Sequence, residues 1–282
     1  MLYEMRDFFG GTVRCIFQPG EEGAGGAKQI VAQGADEGFD KFIAIHMWPN
    51  HDGHGELGGV GTSHGAGATH FIVKVRGTGC HAQSPHLGID SIVVTAQIIM
   101  ALQTIVSRSV APLESAVVAI GKIHAGLAPN YVADVTEFEG TIRYHGLENG
   151  AKLKKMFFEI VEGVAAANGA EAEILYEDGI KPMHNDEELA RIAYQAADMV
   201  WGNEAPRLNM PERVMGGEDL TEFRGKHLQI LLGGGGDYMG HQSNFVLHDE
   251  AMPWGCAINV QMALNVLKEE NENGRGDEFA SV

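Results

Sequence analysis

Short continuous apolar runs alternate with helical stretches at both ends of the chain, and a strict two-residue alternation marks its middle. Residues 13–17, 42–46 and 228–232 are apolar runs of the length and composition of buried strands. Residues 24–33 (closed by Gly34), 186–201 and 251–268 read as helices. That succession predicts an α/β unit: a mixed, mainly parallel sheet with helices on both faces. In the middle, Thr69-His70-Phe71-Ile72-Val73-Lys74-Val75-Arg76 alternates as a half-buried strand does. A long helix over 89–107 follows. Strands over 115–124 and 132–144 come next, with Gly126, Pro129 and Asn130 in the turn between them. A helix over 148–168 and a strand over 172–176 close the segment. The order β-α-β-β-α-β predicts a ferredoxin-like insertion. The domain plan is therefore residues 1–67 and 181–268 as one discontinuous α/β domain and 68–180 as the inserted domain. Residues 269–282, rich in Glu, Asn and Gly, are expected to be a disordered tail.

Composition narrows the partners. The chain has 282 residues, enough for two cores, with 20 Lys+Arg against 38 Asp+Glu and a net charge of -18. Such acidity argues against nucleic acid or an anionic membrane as partner. Cys15, Cys80 and Cys256 are odd in number and far apart, as reduced thiols of a cytoplasmic protein would be. No window holds the roughly 18 to 20 consecutive apolar residues of a membrane span. The opening Met1-Leu2-Tyr3-Glu4-Met5-Arg6 lacks a signal-peptide pattern, so the expectation is a soluble cytoplasmic protein.

The chemistry concentrates where strands end. Gln18-Pro19-Gly20-Glu21-Glu22-Gly23 places adjacent carboxylates after the first run, and His46 closes the second. Successive side chains of a turning backbone diverge, so one carboxylate can bind a cation while the other addresses its neighbour. A water-activating metal site needs that division of ligand and proton acceptor. The alternative is that both glutamates only open the following helix, where the dipole favours negative charge. In an open α/β sheet, ligands collect at the carboxyl ends of strands, which is where Glu21, Glu22 and His46 fall. His81 follows the inserted domain's first strand in Gly79-Cys80-His81-Ala82. His241 follows the run 228–232 and four consecutive glycines, Gly233 to Gly236. Each of these histidines could instead be a simple turn or loop residue. His51-Asp52-Gly53-His54 has ligand-like spacing but reads as a surface loop, and His124, His145, His184 and His248 show no partner pattern.

Together the segments resemble the M20 family of metallopeptidases and amidohydrolases, in particular its branch acting on N-acyl amino acids, such as hippurate hydrolase and auxin-conjugate amidohydrolases. The pieces are Phe17-Gln18-Pro19-Gly20-Glu21-Glu22-Gly23, Ile45-His46-Met47-Trp48-Pro49, Gly79-Cys80-His81-Ala82 with Pro85-His86-Leu87-Gly88-Ile89-Asp90, and Pro129-Asn130 with Gly140-Thr141-Ile142-Arg143. Gly217-Glu218-Asp219-Leu220 and His241 with Phe245 and Asp249-Glu250 complete the series. The resemblance implies a metal-binding catalytic domain, with two ions in the family, and an inserted lid that also forms a homodimer. It implies Glu22, His46 and His241 as ligands of Zn or Mn, and Glu21 as general base. His81 would stabilise the oxyanion, often in the partner subunit's site. Asn130 and Arg143 would meet the substrate, and Glu218 and Asp219 would organise the centre from behind the ligands.

One family block, a Cys-Gly-His-Asp segment ahead of the paired glutamates, has no counterpart in Met1 to Gly11. The expectation is an N-terminally shortened M20 amidohydrolase acting on N-acyl amino acids, with one or no ion bound. The alternative is a catalytically silent homologue that dimerises or binds acyl amino acids.

Overall fold

The computed structural model describes the chain except residues 24, 50, 61–64, 209–212, 239 and 280–282, and the side chains of 51, 52 and 273–279. The chain opens with α1 (Leu2–Met5), α2 (Gly26–Val31), β1 (Lys41–Trp48) and β2 (His51–Gly58). Its middle holds β3 (Gly67–Arg76), β4 (Cys80–His81), α3 (Ser91–Thr104), β5 (Ala116–Ala125), β6 (Tyr131–Val132), β7 (Val135–Tyr144), α4 (Leu147–Ala167) and β8 (Glu171–Asp178). It ends with α5 (Glu187–Trp201), β9 (Lys226–Gly236) and α6 (Met252–Phe279). Two compact units result: Met1–His64 with Met183–Val214 and Asp219–Val282, and Gly65–Pro182 with Met215–Glu218.

In the first unit β9 is central. It pairs in parallel with β1, from Lys41 opposite Lys226 to Trp48 opposite Gly233, and antiparallel with β2. The apolar side chains of β1 divide between two cores, as a doubly buried strand requires. Phe42 and Ala44 join Ala27, Met183, Leu220 and Phe223, and Phe42 stacks on Phe223 at 5.0 Å. Ile43, Ile45 and Met47 join Leu189, Ala193, Leu232, Ile258 and Met262, the cluster built with α5 and α6. Helix α5 begins where Asp186 accepts from the amides of Glu188 and Leu189 and ends at Gly202, in the left-handed conformation.

Four expectations for this unit are corrected. Residues 13–17 form no ladder and no regular element, and Phe17 is 93% exposed. An apolar run shows that a strand could form, not that a neighbour is there to pair with it. Arg14 instead holds the segment, donating to the carbonyls of Ala35 and Glu37 and lying over the Phe39 ring. The helix expected over 24–33 is α2 alone, followed by turns, and Ala24 lies outside the described residues. The loop expected at His51 to His54 is strand β2, whose two register shifts hide the alternation. The tail expected from Glu269 continues helix α6 to Phe279. It contains no proline, and ion pairs of Glu269 with Arg191 and Glu270 with Lys41, each at 2.5 Å, join its first residues to α5 and β1.

The second unit is a four-stranded antiparallel sheet in the order β5-β7-β3-β8, with a separate β4-β6 ribbon. Strand β3 alternates between buried and half-buried positions up to Arg76, which is exposed. Helices α3 and α4 contribute Val94, Ile98, Leu102, Leu153, Phe157 and Val161 to the core around Phe71 and Phe138. Phe71 packs on Phe157 at 4.5 Å, and Gly140 is needed because a Cβ there would lie 2.6 Å from the Phe71 ring. Asp90 caps α3 through the amides of Ile92 and Val93. The outer side of α3 exposes Ile92, Val93 and Met100.

Buried Asp36 makes a two-pronged pair with Arg224, at 2.7 and 2.8 Å, and also accepts the Arg224 amide at 3.1 Å. The guanidinium's hydrogen bonds hold the Asp36 pKa far below the ordinary carboxylate range. A depressed folded-state pKa stabilises above the unfolded value of about 3.9, and that contribution is lost as pH falls through and below it. Asp36→Asn should lower the melting temperature at neutral pH and flatten its fall between about pH 4 and 2. Equal slopes for both proteins in a pH series of melting curves would remove the assignment.

Candidate metal centre

The paired glutamates sit in a turn whose shape glycine dictates. Gly20, Gly23 and Gly25 have φ of +66°, +103° and +61°, and a Cβ at Gly26 would lie 1.5 Å from the Pro19 carbonyl oxygen. The amide of Gly26 closes the turn on the Gly20 carbonyl at 3.2 Å. Asp219, 3% exposed, accepts the Gln18 side-chain amide at 2.6 Å and the Ala27 backbone amide at 3.0 Å. One buried carboxylate therefore grips the turn on both sides. Gln18 was not among the residues singled out from sequence, and its place just before Pro19-Gly20 is the only local signal.

His46 stands near the carboxyl end of β1. It shares the face of Phe42 and Ala44 by strand alternation, the face toward α2. Its Nδ1 lies 2.7 Å from the Met47 carbonyl. A carbonyl only accepts, so Nδ1 carries the proton and the Nε2 lone pair is left for a ligand. His241 follows β9 and lies 3.2 Å, through Nε2, from a Glu22 carboxylate oxygen. Both side chains are largely exposed. His241 has φ +69°, the left-handed region that a residue with a Cβ enters at a cost; among the described residues no other non-glycine has a positive φ.

Glu21 senses the whole group. Burial raises its pKa most, the Glu22 and Asp219 carboxylates raise it further, and His46 and His241 oppose them. A carboxylate oxygen of Asp219 lies within 4.8 Å of one of Glu21. Glu22, Asp219, His46 and His241 thus all act on the charge of Glu21, and among the described residues Glu22 and His241 are in direct contact. Carboxylate and imidazole donors in this number fit a divalent cation of the borderline class.

The other expected residues belong to the second unit. His81 is exposed, opposite Tyr131 in the β4-β6 ribbon, with its Nδ1 accepting from the Gln83 amide at 3.1 Å. The Asn130 carbonyl accepts from the Ala82 amide at 3.0 Å, so His81 and Asn130 are neighbours. Arg143 is near the far end of β7, donating to the Met215 carbonyl at 2.7 Å. Eight residues of strand separate Arg143 from Val135 at the ribbon end, about 26 Å at 3.3 Å per residue. Glu218 is buried and also falls in this unit.

Peptidase family M20/M25/M40 matches over residues 1–265. The chain belongs to that family. Its M20 relatives include an N-acetyl-L-cysteine deacetylase of Bacillus subtilis, 32% identical over 98% of this chain and 66% of its own length. An Arabidopsis thaliana protein, IAA-amino acid hydrolase ILR1-like 2, is 32% identical over 97% of this chain and 64% of its own. Among solved structures, the Bacillus subtilis YXEP protein, described as a dinuclear metal-binding peptidase of the M20 family, superposes with a TM-score of 0.80. It is 28% identical, over 95% of this chain and 68% of its own. The chain thus spans about two thirds of the length of these M20 proteins.

Asp219→Ala tests what organises the M20 turn. Losing the partner of Ala27 N–H and of Gln18 should cost about 1–3 kcal/mol. It should also weaken divalent-ion binding by about 10- to 100-fold. Calorimetric titration with Zn²⁺ or Mn²⁺ reads the second effect; unchanged affinity would show that Asp219 only packs.

Proposed function

We propose that this chain is a metal-dependent amidohydrolase that releases the amino acid from an N-acyl amino acid or similar conjugate. The observation that carries the reading is the Glu22–His241 contact beside Glu21, whose raised pKa registers His46, His241 and Asp219, with Asp219 gripping the turn. Relatives named as a deacetylase of N-acetyl-L-cysteine and a hydrolase of an amino acid conjugate support the substrate class. Glu22, His46 and His241 would hold Zn²⁺ or Mn²⁺. The ion supplies Lewis-acid polarisation of the amide carbonyl and acidifies water toward a pKa near 7.

Glu21 is the proton carrier in this reading. Its raised pKa suits a base that takes a proton from the attacking water and returns it to the leaving nitrogen. As water oxygen bonds to the acyl carbon and the C–N bond breaks, that proton ends on the released amine. His81 donates toward the oxyanion, Arg143 pairs with the free carboxylate of the substrate, and Asn130 holds the amide.

The separation of Arg143 from His81 and Asn130 supports a homodimer. A small acyl amino acid cannot span about 26 Å, so one site using all three draws them from two chains. The second unit would then be a ferredoxin-like lid that also dimerises. Its edge strand β5, with Val117 and Ile123 exposed, and the Ile92, Val93 and Met100 face of α3 offer the apolar surface.

Glu21→Gln should lower turnover of N-acetyl amino acids by at least about 100-fold with metal content unchanged, whereas Glu22→Ala should lose metal first. Wild-type turnover in Glu21→Gln would end the assignment, and absence of both metal and hydrolysis in the parent chain would favour a silent binding protein. Mixing inactive His81→Ala and Glu21→Gln subunits should restore about a quarter of parental activity, because half the dimers then carry one complete site. No recovery after subunit exchange, or a monomer by light scattering, would refute the shared site.

A further inference from the structure

Strand β2 carries a histidine that the centre above does not use. His54 lies opposite Gly234 of β9, and His248 donates its backbone amide to the Gly234 carbonyl at 2.9 Å. The two rings meet with centroids 5.1 Å apart and planes inclined at 53°. His54 Nδ1 is buried and finds no hydrogen-bond partner among the described residues. Buried ring nitrogens are seldom left so unless something else binds them. The backbone has been cleared for this pair: a Cβ at Gly235, where φ is +69°, would stand 2.4 Å from His248 Nδ1. The glycine run thus seats the second imidazole.

We propose that His54 and His248 form a separate transition-metal site, for an imidazole-preferring ion such as Zn²⁺, Co²⁺ or Ni²⁺. An imidazole bound at about 2.0–2.1 Å has its ring centroid about 3.2 Å from the ion, so two at a tetrahedral angle have centroids about 5.2 Å apart. The observed 5.1 Å matches that separation, and tilted rings suit two nitrogens converging on one point better than stacked rings would. Two protein ligands leave the remaining positions to water. The pair's donors are imidazoles, whereas the turn at Glu21 and Glu22 is rich in carboxylates, so the two places would differ in metal preference.

The test separates this site from the one proposed for hydrolysis. In a Glu22→Ala/His241→Ala protein, Co²⁺ titration should still load one ion per chain, with the visible absorption of low-symmetry cobalt. Adding His54→Phe, which keeps a ring in the packing, or His248→Asn should abolish that uptake. In the otherwise unaltered chain, either change should lower total Co²⁺ by one equivalent. No uptake in the double variant, or uptake that survives both His54→Phe and His248→Asn, would overturn the site. Where circular dichroism shows that one of these variants does not fold, the other decides.

Discussion

The buried carboxylate of Asp219 is the constraint on which the first unit's chemistry depends. The turn from Pro19 to Gly26 is mostly glycine and glutamate and has little apolar surface to hold it. Its own backbone closes it through the bonds of Gly26 to Gly20 and of Gly23 to Glu21. The bonds from Gln18 and Ala27 to Asp219 connect it to the short helical segment before β9. The same carboxylate adds negative potential at Glu21, so one group both fixes the turn and raises the pKa of a glutamate within it. His46 and His241 arrive from adjacent parallel strands, which bring their carboxyl ends to one edge without further machinery.

Much of this was legible in the sequence where a local pattern and its tertiary outcome coincide. The alternation from Thr69 to Arg76 became β3, and Asp186 stands as the cap of α5. The paired glutamates, His46 and His241 stand out by their place after strands; of these, Glu22 and His241 lie 3.2 Å apart, and both histidines act electrostatically on Glu21. What failed was information carried by a neighbour. Residues 13–17 have a strand's composition, but pairing depends on what lies alongside. Strand β2 has a glycine-rich sequence and two irregularities, so its periodicity was erased. Past Lys268, α6 is tied at Glu269 and Glu270 to Arg191 and Lys41, more than 70 residues away along the chain. Gln18 and the His54–His248 pair are contacts across the fold and leave no periodic trace.

The second unit draws its order from a different source. Three phenylalanines, Phe71, Phe138 and Phe157, sit in one packed group, and glycine at 140 lets a strand pass over the Phe71 ring. A rigid core of this kind lets the ribbon end and the Arg143 end of β7 keep a fixed spacing. Any chemistry that uses both ends inherits that spacing as a ruler.

The left-handed backbone at position 241 has an evolutionary corollary. Glycine would occupy that conformation with less strain, so folding alone selects against an imidazole there. Histidine is among the residues with a Cβ that enter this region most readily, so its cost there is small enough for a useful imidazole to be kept. In lineages that abandon the chemistry, drift toward glycine or asparagine should begin at this position before the core shows any change.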